Sequence, residues 1–294
     1  MATIQFMGIN KMKPFLKWAG GKRQLLPYIQ EYINKVSLKG KTYFEPFLGG
    51  GSVFFNIGYK KCIVNDLNEE LINCYKIVRD NPEELISALK KHKKNHNKDY
   101  FYKIRSLDRD EKAYKKLTNI EKAARTIYLN KTCFNGLYRV NKKGQFNTPI
   151  GRYVDPLVCD EETIRDASKY LKNEGIKFLS CDFVESVSEA KKGDWIYFDP
   201  PYDYEDTGFV GYSKEGFSHD DLLRLRQLCD NLIEKGCNVL ISNNDTKFVR
   251  KTFEADKYEI IYSTKIIKAN RNINSKGSRR AKVDEVLIYG RKAK

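Results

Sequence analysis

Apolar positions fall into two alternating rhythms over the first 80 residues. Residues 42–47 (Thr-Tyr-Phe-Glu-Pro-Phe) form a short aromatic run that predicts a strand, followed by Gly49-Gly50-Gly51 and a helix over 52–57. Cys62 to Val64 predict a second strand ending at Asn65-Asp66. Apolar residues at 71, 72, 75 and 78 give helical spacing over 69–78. Strand, helix, strand, helix is the opening of an α/β, doubly wound sheet. Asn81 and Pro82 read as the cap and first residue of a lysine-rich helix over 82–97. Regularity then stops. Residues 98–180 mix helices over about 119–132 and 160–172 with an irregular stretch, 134–152, rich in Asn, Gly, Arg and Pro, which reads as an insertion. Strands resume at 176–179, ending near Asp182, and at 195–198, ending in Asp199-Pro200-Pro201-Tyr202. A polar loop holding Gly208, Gly211 and Gly216 leads to a helix that Ser218 caps and Gly236 stops, with Asp220 and Asp221 in its positive first turn. A strand at 239–242, a helix at 246–255 and two strands at 258–268 and 283–289, joined by a basic loop, complete the pattern.

The 294 residues are 41% hydrophobic and 13% aromatic, enough to bury a core, which excludes general disorder. No uninterrupted apolar stretch approaches the ~18 residues of a membrane helix, and residues 1–10 lack the basic-then-apolar order of a secretory signal. A soluble, unsecreted protein with no membrane partner is expected. Seven cysteines without a Cys-x-x-Cys pair disfavour a disulfide framework or zinc site. His92 and His96 sit one helical turn apart, but their flanks are Lys and Asn with no carboxylate, so a solvated basic face and no metal are expected.

The formal charge is +16, and its placement is uneven. Residues 1–43 hold 8 basic and 1 acidic side chains, 89–152 hold 18 and 5, and 265–294 hold 10 and 2, while the remainder carries −12. Three basic segments against an acidic body suit a protein gripping a polyanion, although Lys-rich codon usage gives a similar total.

A strand running into Gly49-Gly50-Gly51 at a helix start lets a nucleotide-type ligand approach the backbone. Phe54 stands where a dinucleotide fingerprint needs a third glycine, which argues against NAD. Ala19-Gly20-Gly21-Lys22-Arg23 fails as a phosphate loop, with Leu16 in place of a glycine and Arg23 in place of Ser or Thr. Asp66 ends the second strand, where its carboxylate can accept both ribose hydroxyls of an adenosine, and S-adenosylmethionine fits such a site. A tight turn with Asp66 capping the helix 69–78 is the plainer alternative.

Asp199-Pro200-Pro201-Tyr202 is the most informative tetrapeptide. Two prolines after a buried strand make the chain rigid and restrict the residue before them, so the carboxylate is aimed. It can accept one N–H of an exocyclic base amine while the Pro200 carbonyl accepts the other, and Tyr202 offers a flat face for the base. Acceptors on both N–H groups favour the more tetrahedral, positively charged nitrogen of a methyl-transfer transition state. A bare turn after a strand is the reading without chemistry.

These residues resemble the Dam-type DNA adenine-N6 methyltransferases, the α group of the D12 class. The matching segments are 15–22, 44–52, Asn65-Asp66, 134–139, Phe146-Asn147 with Pro149 and 151–153, 199–202 and 282–285, with glycine loop, recognition insert and Asp-Pro-Pro-Tyr in that order. The resemblance implies a Rossmann-like S-adenosylmethionine-dependent methyltransferase sheet with an inserted, mostly helical DNA-recognition domain. Residues 1–80 and 181–294 would form the catalytic domain, and 81–180 the target-recognition domain with a β-hairpin at about 134–152. Asp199, Pro200, Pro201 and Tyr202 are the implied catalytic residues. Implied cofactor contacts are Trp18, Ala19, Gly20, Gly21, Lys22, Phe47, Gly49, Gly51, Ser52, Asp66, Leu67, Asp182, Phe183 and Asp199, the match at Asp182 being positional. Residues 1–12 precede the family's usual start near Lys13, as a leader or an upstream start codon.

For double-stranded DNA the resemblance implies Arg139 bidentate to a guanine edge, Leu137 and Pro149 against a thymine methyl, and Lys17 on the first guanine of 5′-GATC-3′. Phe134 would stack in the space left by a flipped adenine, with Asn135, Gly136, Asn147 and Arg152 nearby. Ser275, Arg279, Arg280 and Lys282 of the basic loop would meet the DNA backbone. A Gly-turned β-hairpin over 134–152 is expected on either reading, and what stays open is whether its tip touches bases. The implied enzyme is cytoplasmic and nucleoid-associated, bacterial or phage-like, a monomer or weak dimer, needing no metal and releasing S-adenosylhomocysteine. It acts alone or beside a restriction endonuclease. Alternatives are an N4-cytosine or RNA-base methyltransferase of the same fold, a DNA-binding regulator with an inactive cofactor fold, and an NAD-dependent oxidoreductase.

Overall fold

The computed structural model describes residues 12–18, 22, 24–203, 217–254, 260–269 and 283–292. In chain order the elements are α1 (Leu26–Asn34), β1 (Tyr43–Glu45), α2 (Ser52–Ile57), β2 (Cys62–Asn65), α3 (Glu69–Asp80), α4 (Pro82–Lys94), α5 (Lys98–Arg105), α6 (Glu111–Lys115), α7 (Asn119–Thr132), α8 (Glu161–Leu171), β3 (Ile176–Leu179), β4 (Trp195–Phe198), α9 (His219–Glu234), β5 (Asn238–Asn244), α10 (Lys247–Thr252), β6 (Ile260–Ala269) and β7 (Val283–Lys292). The described strands form one sheet in the order β3-β2-β1-β4-β5-β7-β6. β1 to β5 pair in parallel, while β7 runs antiparallel between β5 and β6. The α/β fold expected from the sequence is present.

Strand pleating divides the core. Tyr43, Val64, Tyr197 and Leu240 face one side of the sheet, and Phe44, Ile63, Ile196, Phe198, Val239 and Ile241 face the other. The first side is covered by α1, α2 and α3, and beyond α3 by the helices α4, α5, α7 and α8 of the insertion. The second is covered by α9 and α10. α7 is buried along Ala123–Thr132, and its start is fixed by a reciprocal capping box between Thr118 and Glu121. Arg125 lies inside this helical layer, its guanidinium 2.7 Å from Asp108 Oδ2 and 3.6 Å from Glu70 Oε2. It also donates to the Ile104 and Arg105 carbonyls, so the buried charge is fully compensated.

Several local expectations change. The helix after Pro82 stops at Lys94 because Asn97 caps a separate helix, accepting from Tyr100 N at 2.9 Å. Asn81 precedes Pro82 without a side-chain cap. Residues 98–118 are more regular than their polarity suggests, holding α5 and α6, the latter capped by Asp110. α3 is capped by Asn68 rather than Asp66, which frees the Asp66 carboxylate for other partners. Stretch 134–152 doubles back as a hairpin would, but pairs only at Cys133 with Ile150 and Val140 with Phe146; a 3-10 turn at Phe134–Gly136 interrupts it. His92 and His96 turn inward rather than lining a solvated face. His92 stacks on Tyr128 with centroids 4.8 Å apart and meets Tyr100 at 2.9 Å, and His96 meets Tyr128 at 2.9 Å. Burial accordingly lowers His92 to about 4. Among the described residues no group of His, Cys, Asp and Glu could hold a metal, and no helix is long and apolar enough to cross a membrane.

Candidate active site

β1 lies between β2 and β4, so the chain reverses its winding there and the C-terminal ends of β1 and β4 border one crevice. The glycine loop leaves β1 on one side of it and Asp199 leaves β4 on the other.

Gly49 and Gly51 both have left-handed backbones (φ +50° and +70°), which a side chain resists. Space forbids one as well: a Cβ at Gly49 would come within 2.9 Å of the Trp18 indole, and one at Gly51 within 2.7 Å of the Tyr75 hydroxyl. The loop is thus pressed between Trp18 above and Tyr75 below, and Tyr75 donates to the Gly49 carbonyl at 2.9 Å. Asp66 accepts from Gly49 N at 2.9 Å through Oδ2 and from Asn68 N at 3.0 Å through Oδ1, leaving each oxygen one further lone pair. Burial raises its pKa against these two backbone bonds. Asn65 fastens three strand ends by donating to the Pro46 and Cys181 carbonyls and accepting from Cys181 N, each at 3.0 Å.

Beside the loop, Phe47 packs on Phe183 (centroids 5.5 Å apart) and Phe217 (5.8 Å), making an aromatic wall. Asp182 accepts from Val184 N and from Arg224, whose guanidinium lies over the Phe183 ring. Leu67 is 65% exposed at the mouth, and Ser52 opens α2.

Asp199 is 20% exposed and both of its oxygens are engaged. Lys22 Nζ lies 2.8 Å from Oδ2, and Ser242 Oγ donates to Oδ1 at 2.7 Å. Lys22 also stands 4.5 Å above the Tyr202 ring, and the Tyr202 hydroxyl points to Glu285 at 3.4 Å. Pro200 is buried and Pro201 half-buried. The next residue, Asp203, is tied down by Asn243, Asn244 and Thr246, which fixes the exit of the tetrapeptide. Burial pushes the Tyr202 phenol well up, and does the same to the Glu45 carboxyl, which Tyr43 hydrogen-bonds behind Asp199.

The insertion meets this crevice through Trp18, which stacks on Tyr138 (5.3 Å, 23°). Asn130 of α7 accepts from Lys17 N at 2.9 Å and donates to the carbonyls of Lys17 and Gly136. Lys17 Nζ lies 4.3 Å over the Tyr153 ring, and Lys131, buried near it, is lowered to about 8 by burial and then by Lys17. Phe134 is 38% exposed, Asn135 is exposed with φ +55°, and Leu137 is half-buried. Arg139 is exposed, its Nε donating to Asn147 Oδ1 at 2.7 Å; Pro149 and Arg152 are exposed nearby. Ala19, Gly20, Gly21, Ser275, Arg279, Arg280 and Lys282 lie outside the described residues.

Ser242, Tyr197 and Asn130 were missed from sequence, and Asn65 and Tyr138 stood there only within matching segments, without a role. Ser242 had a usable signal: it is the first polar residue after the apolar run Val239 to Ile241 of β5, as Asp199 is after β4.

The family model of the D12 class N6 adenine-specific DNA methyltransferases matches residues 18–273. Type II methyltransferase M1.LlaDCHI of Lactococcus lactis subsp. cremoris is 43% identical over 99% of this chain and 100% of its own. Type II methyltransferase M.MjaIII of Methanocaldococcus jannaschii is 39% identical over 95% and 99%, and the DNA adenine methylase of Escherichia coli K12 is 32% identical over 95% of each. Shared along nearly the whole chain, this likeness takes in the glycine loop, the insertion and the Asp199 crevice together, and the protein belongs to the D12 class of N6 adenine-specific DNA methyltransferases.

Proposed function

We propose that this adenine-specific DNA methyltransferase uses S-adenosylmethionine to methylate N6 of an adenine turned out of duplex DNA, within 5′-GATC-3′. The observation that carries the reading is the Asp199 carboxylate, held on both oxygens beside the Tyr202 ring and across the crevice from the glycine loop. The donor set fits the cofactor: Asp66 retains acceptor capacity for ribose hydroxyls, and Phe47 and Phe183 form a wall for the adenine. Trp18, Lys22, Gly49, Gly51, Ser52, Leu67 and Asp182 are the further cofactor contacts of this reading. When bound, the cofactor supplies an electrophilic methyl group.

Asp199 and the Pro200 carbonyl accept the two N–H groups of the target amine, drawing the nitrogen lone pair out of conjugation, while Tyr202 stacks on the base. Lys22 Nζ lies on Asp199 Oδ2 and over the Tyr202 ring, so the ammonium gives way as the base stacks. Arg139, oriented by Asn147 through Nε and one Nη2 proton, has its Nη1 group and the other Nη2 proton to offer a guanine edge, with Leu137 and Pro149 beside it for a thymine methyl. Phe134 fills the vacated stack, and Lys17, Asn135, Gly136 and Arg152 line the approach. Helices of the insertion form the target-recognition domain. The pairing of β3 with β2 supports a catalytic domain that takes in residues 176–179 as well as the 181–294 expected from sequence. The type II methyltransferase names of two relatives support pairing with a restriction endonuclease.

Nucleoside mass spectrometry of DNA incubated with enzyme and isotopically labelled S-adenosylmethionine should give labelled N6-methyladenine. Label only in RNA or only as N4-methylcytosine would sink the chemistry, and equal methylation of duplexes lacking GATC would sink the site.

A further inference from the structure

The Asp199 carboxylate is aimed by its neighbour on the next strand. Ser242 sits near the end of β5, fully buried, with its hydroxyl 2.7 Å from Asp199 Oδ1 and 2.8 Å from the Tyr197 hydroxyl of β4. A serine hydroxyl has one proton, and an ionised carboxylate only accepts. The proton of Ser242 therefore goes to Asp199, which obliges Tyr197 to donate to Ser242. This gives the chain a single direction, Tyr197 to Ser242 to Asp199. Main-chain pairing of β4 with β5 fixes the separation of the two strands, with Phe198 opposite Ile241. Lys22 holds the other oxygen from a segment outside the sheet, so Ser242 is the partner whose position the strands determine.

We infer that Ser242, supported by Tyr197, is a positioning residue that sets the rotation of the Asp199 carboxylate, leaving one oxygen directed at the amine of the target adenine. The inference rests on the role proposed for Asp199. Without the Ser242 bond the carboxylate swings about its own side-chain bonds, and an acceptor displaced by a fraction of an ångström no longer meets the reacting N–H.

The test is single-turnover methylation of unmethylated plasmid DNA by the full-length protein, beside calorimetric S-adenosylmethionine affinity and the melting temperature. Ser242→Ala is expected to slow the chemical step roughly ten- to a hundredfold with cofactor affinity unchanged. Ser242→Ala also strands the Tyr197 hydroxyl, so the double variant Ser242→Ala/Tyr197→Phe separates stability from positioning. It should regain melting temperature yet stay slow. Recovery of rate together with stability would overturn the inference, as would a Ser242→Ala enzyme with full rate. Asp199→Ala is run in parallel: if it methylates normally the proposed role of Asp199 fails, whereas a dead Asp199→Ala beside a fast Ser242→Ala rejects Ser242 alone.

Discussion

Replacing Gly51 with Ala tests whether the glycine loop is as tightly seated as its geometry implies. Gly51 has φ +70°, and an alanine there costs about 1–2 kcal/mol for the left-handed backbone alone. Its Cβ would also stand 2.7 Å from the Tyr75 hydroxyl and 3.2 Å from two Phe55 ring carbons. Tyr75 is fully buried and has nowhere to retreat, so it must give up its 2.9 Å bond to the Gly49 carbonyl, a further loss of about 1 kcal/mol. The sum is about 2–3 kcal/mol. For 294 residues unfolding with ~2.1 cal/mol/K each, that lowers the melting temperature by roughly 3–5 °C. The assay is a double-mutant cycle read by thermal unfolding and by S-adenosylmethionine affinity. Tyr75→Phe alone removes one bond, but in the Gly51→Ala background it removes the atom in the way, so the two costs should fall short of additive by about 1 kcal/mol. Strict additivity, or a Gly51→Ala protein with unaltered melting and cofactor affinity, would refute the seating of the loop.

Arg139→Ala should relax selectivity at one guanine position by about 1–3 kcal/mol, measured on duplexes with single-base changes; uniform weakening on every sequence would instead make Arg139 a phosphate contact. His92, lowered to about 4 from 6.5 by burial, takes up a proton more readily in the unfolded chain. Its contribution to stability is therefore complete above about pH 6.5 and is lost as pH falls towards 4, amounting to at most ~3 kcal/mol. Melting curves over that range should flatten in His92→Gln, and parallel curves would exclude the histidine. DNA affinity should fall linearly on a log–log plot against salt, by about 0.9 per phosphate neutralised, and a flat response in a titration would remove the polyanion reading of the basic segments.

The order of strands and helices was legible because each β-α unit carries its own period and punctuation: Gly49 to Gly51, Asn65-Asp66 and Asp199-Pro200 all end strands where the chain must turn. Less legible was the helical layer between α3 and β3. Its burial depends on Arg125 and on α7, whose polar residues face inward towards partners far along the chain, and no local pattern announces that. In the crevice, Asp66 and Asp199 stood out as carboxylates at strand ends. Ser242, Tyr197 and Asn130 were hidden because a serine, a tyrosine or an asparagine acquires meaning only from what folding brings within 3 Å of it.

Asn130 also bears on how such enzymes acquire new target sequences. Its side chain clasps both backbone groups of Lys17 and the Gly136 carbonyl, while Tyr138 stacks on the indole that leans over Gly49. The surface proposed to read bases and the glycine loop thus share a single clasp. A recognition segment transplanted from a relative should preserve activity only when Asn130, Gly136 and Tyr138 travel with it, and a chimera that methylates normally without them would show the two halves to be interchangeable parts.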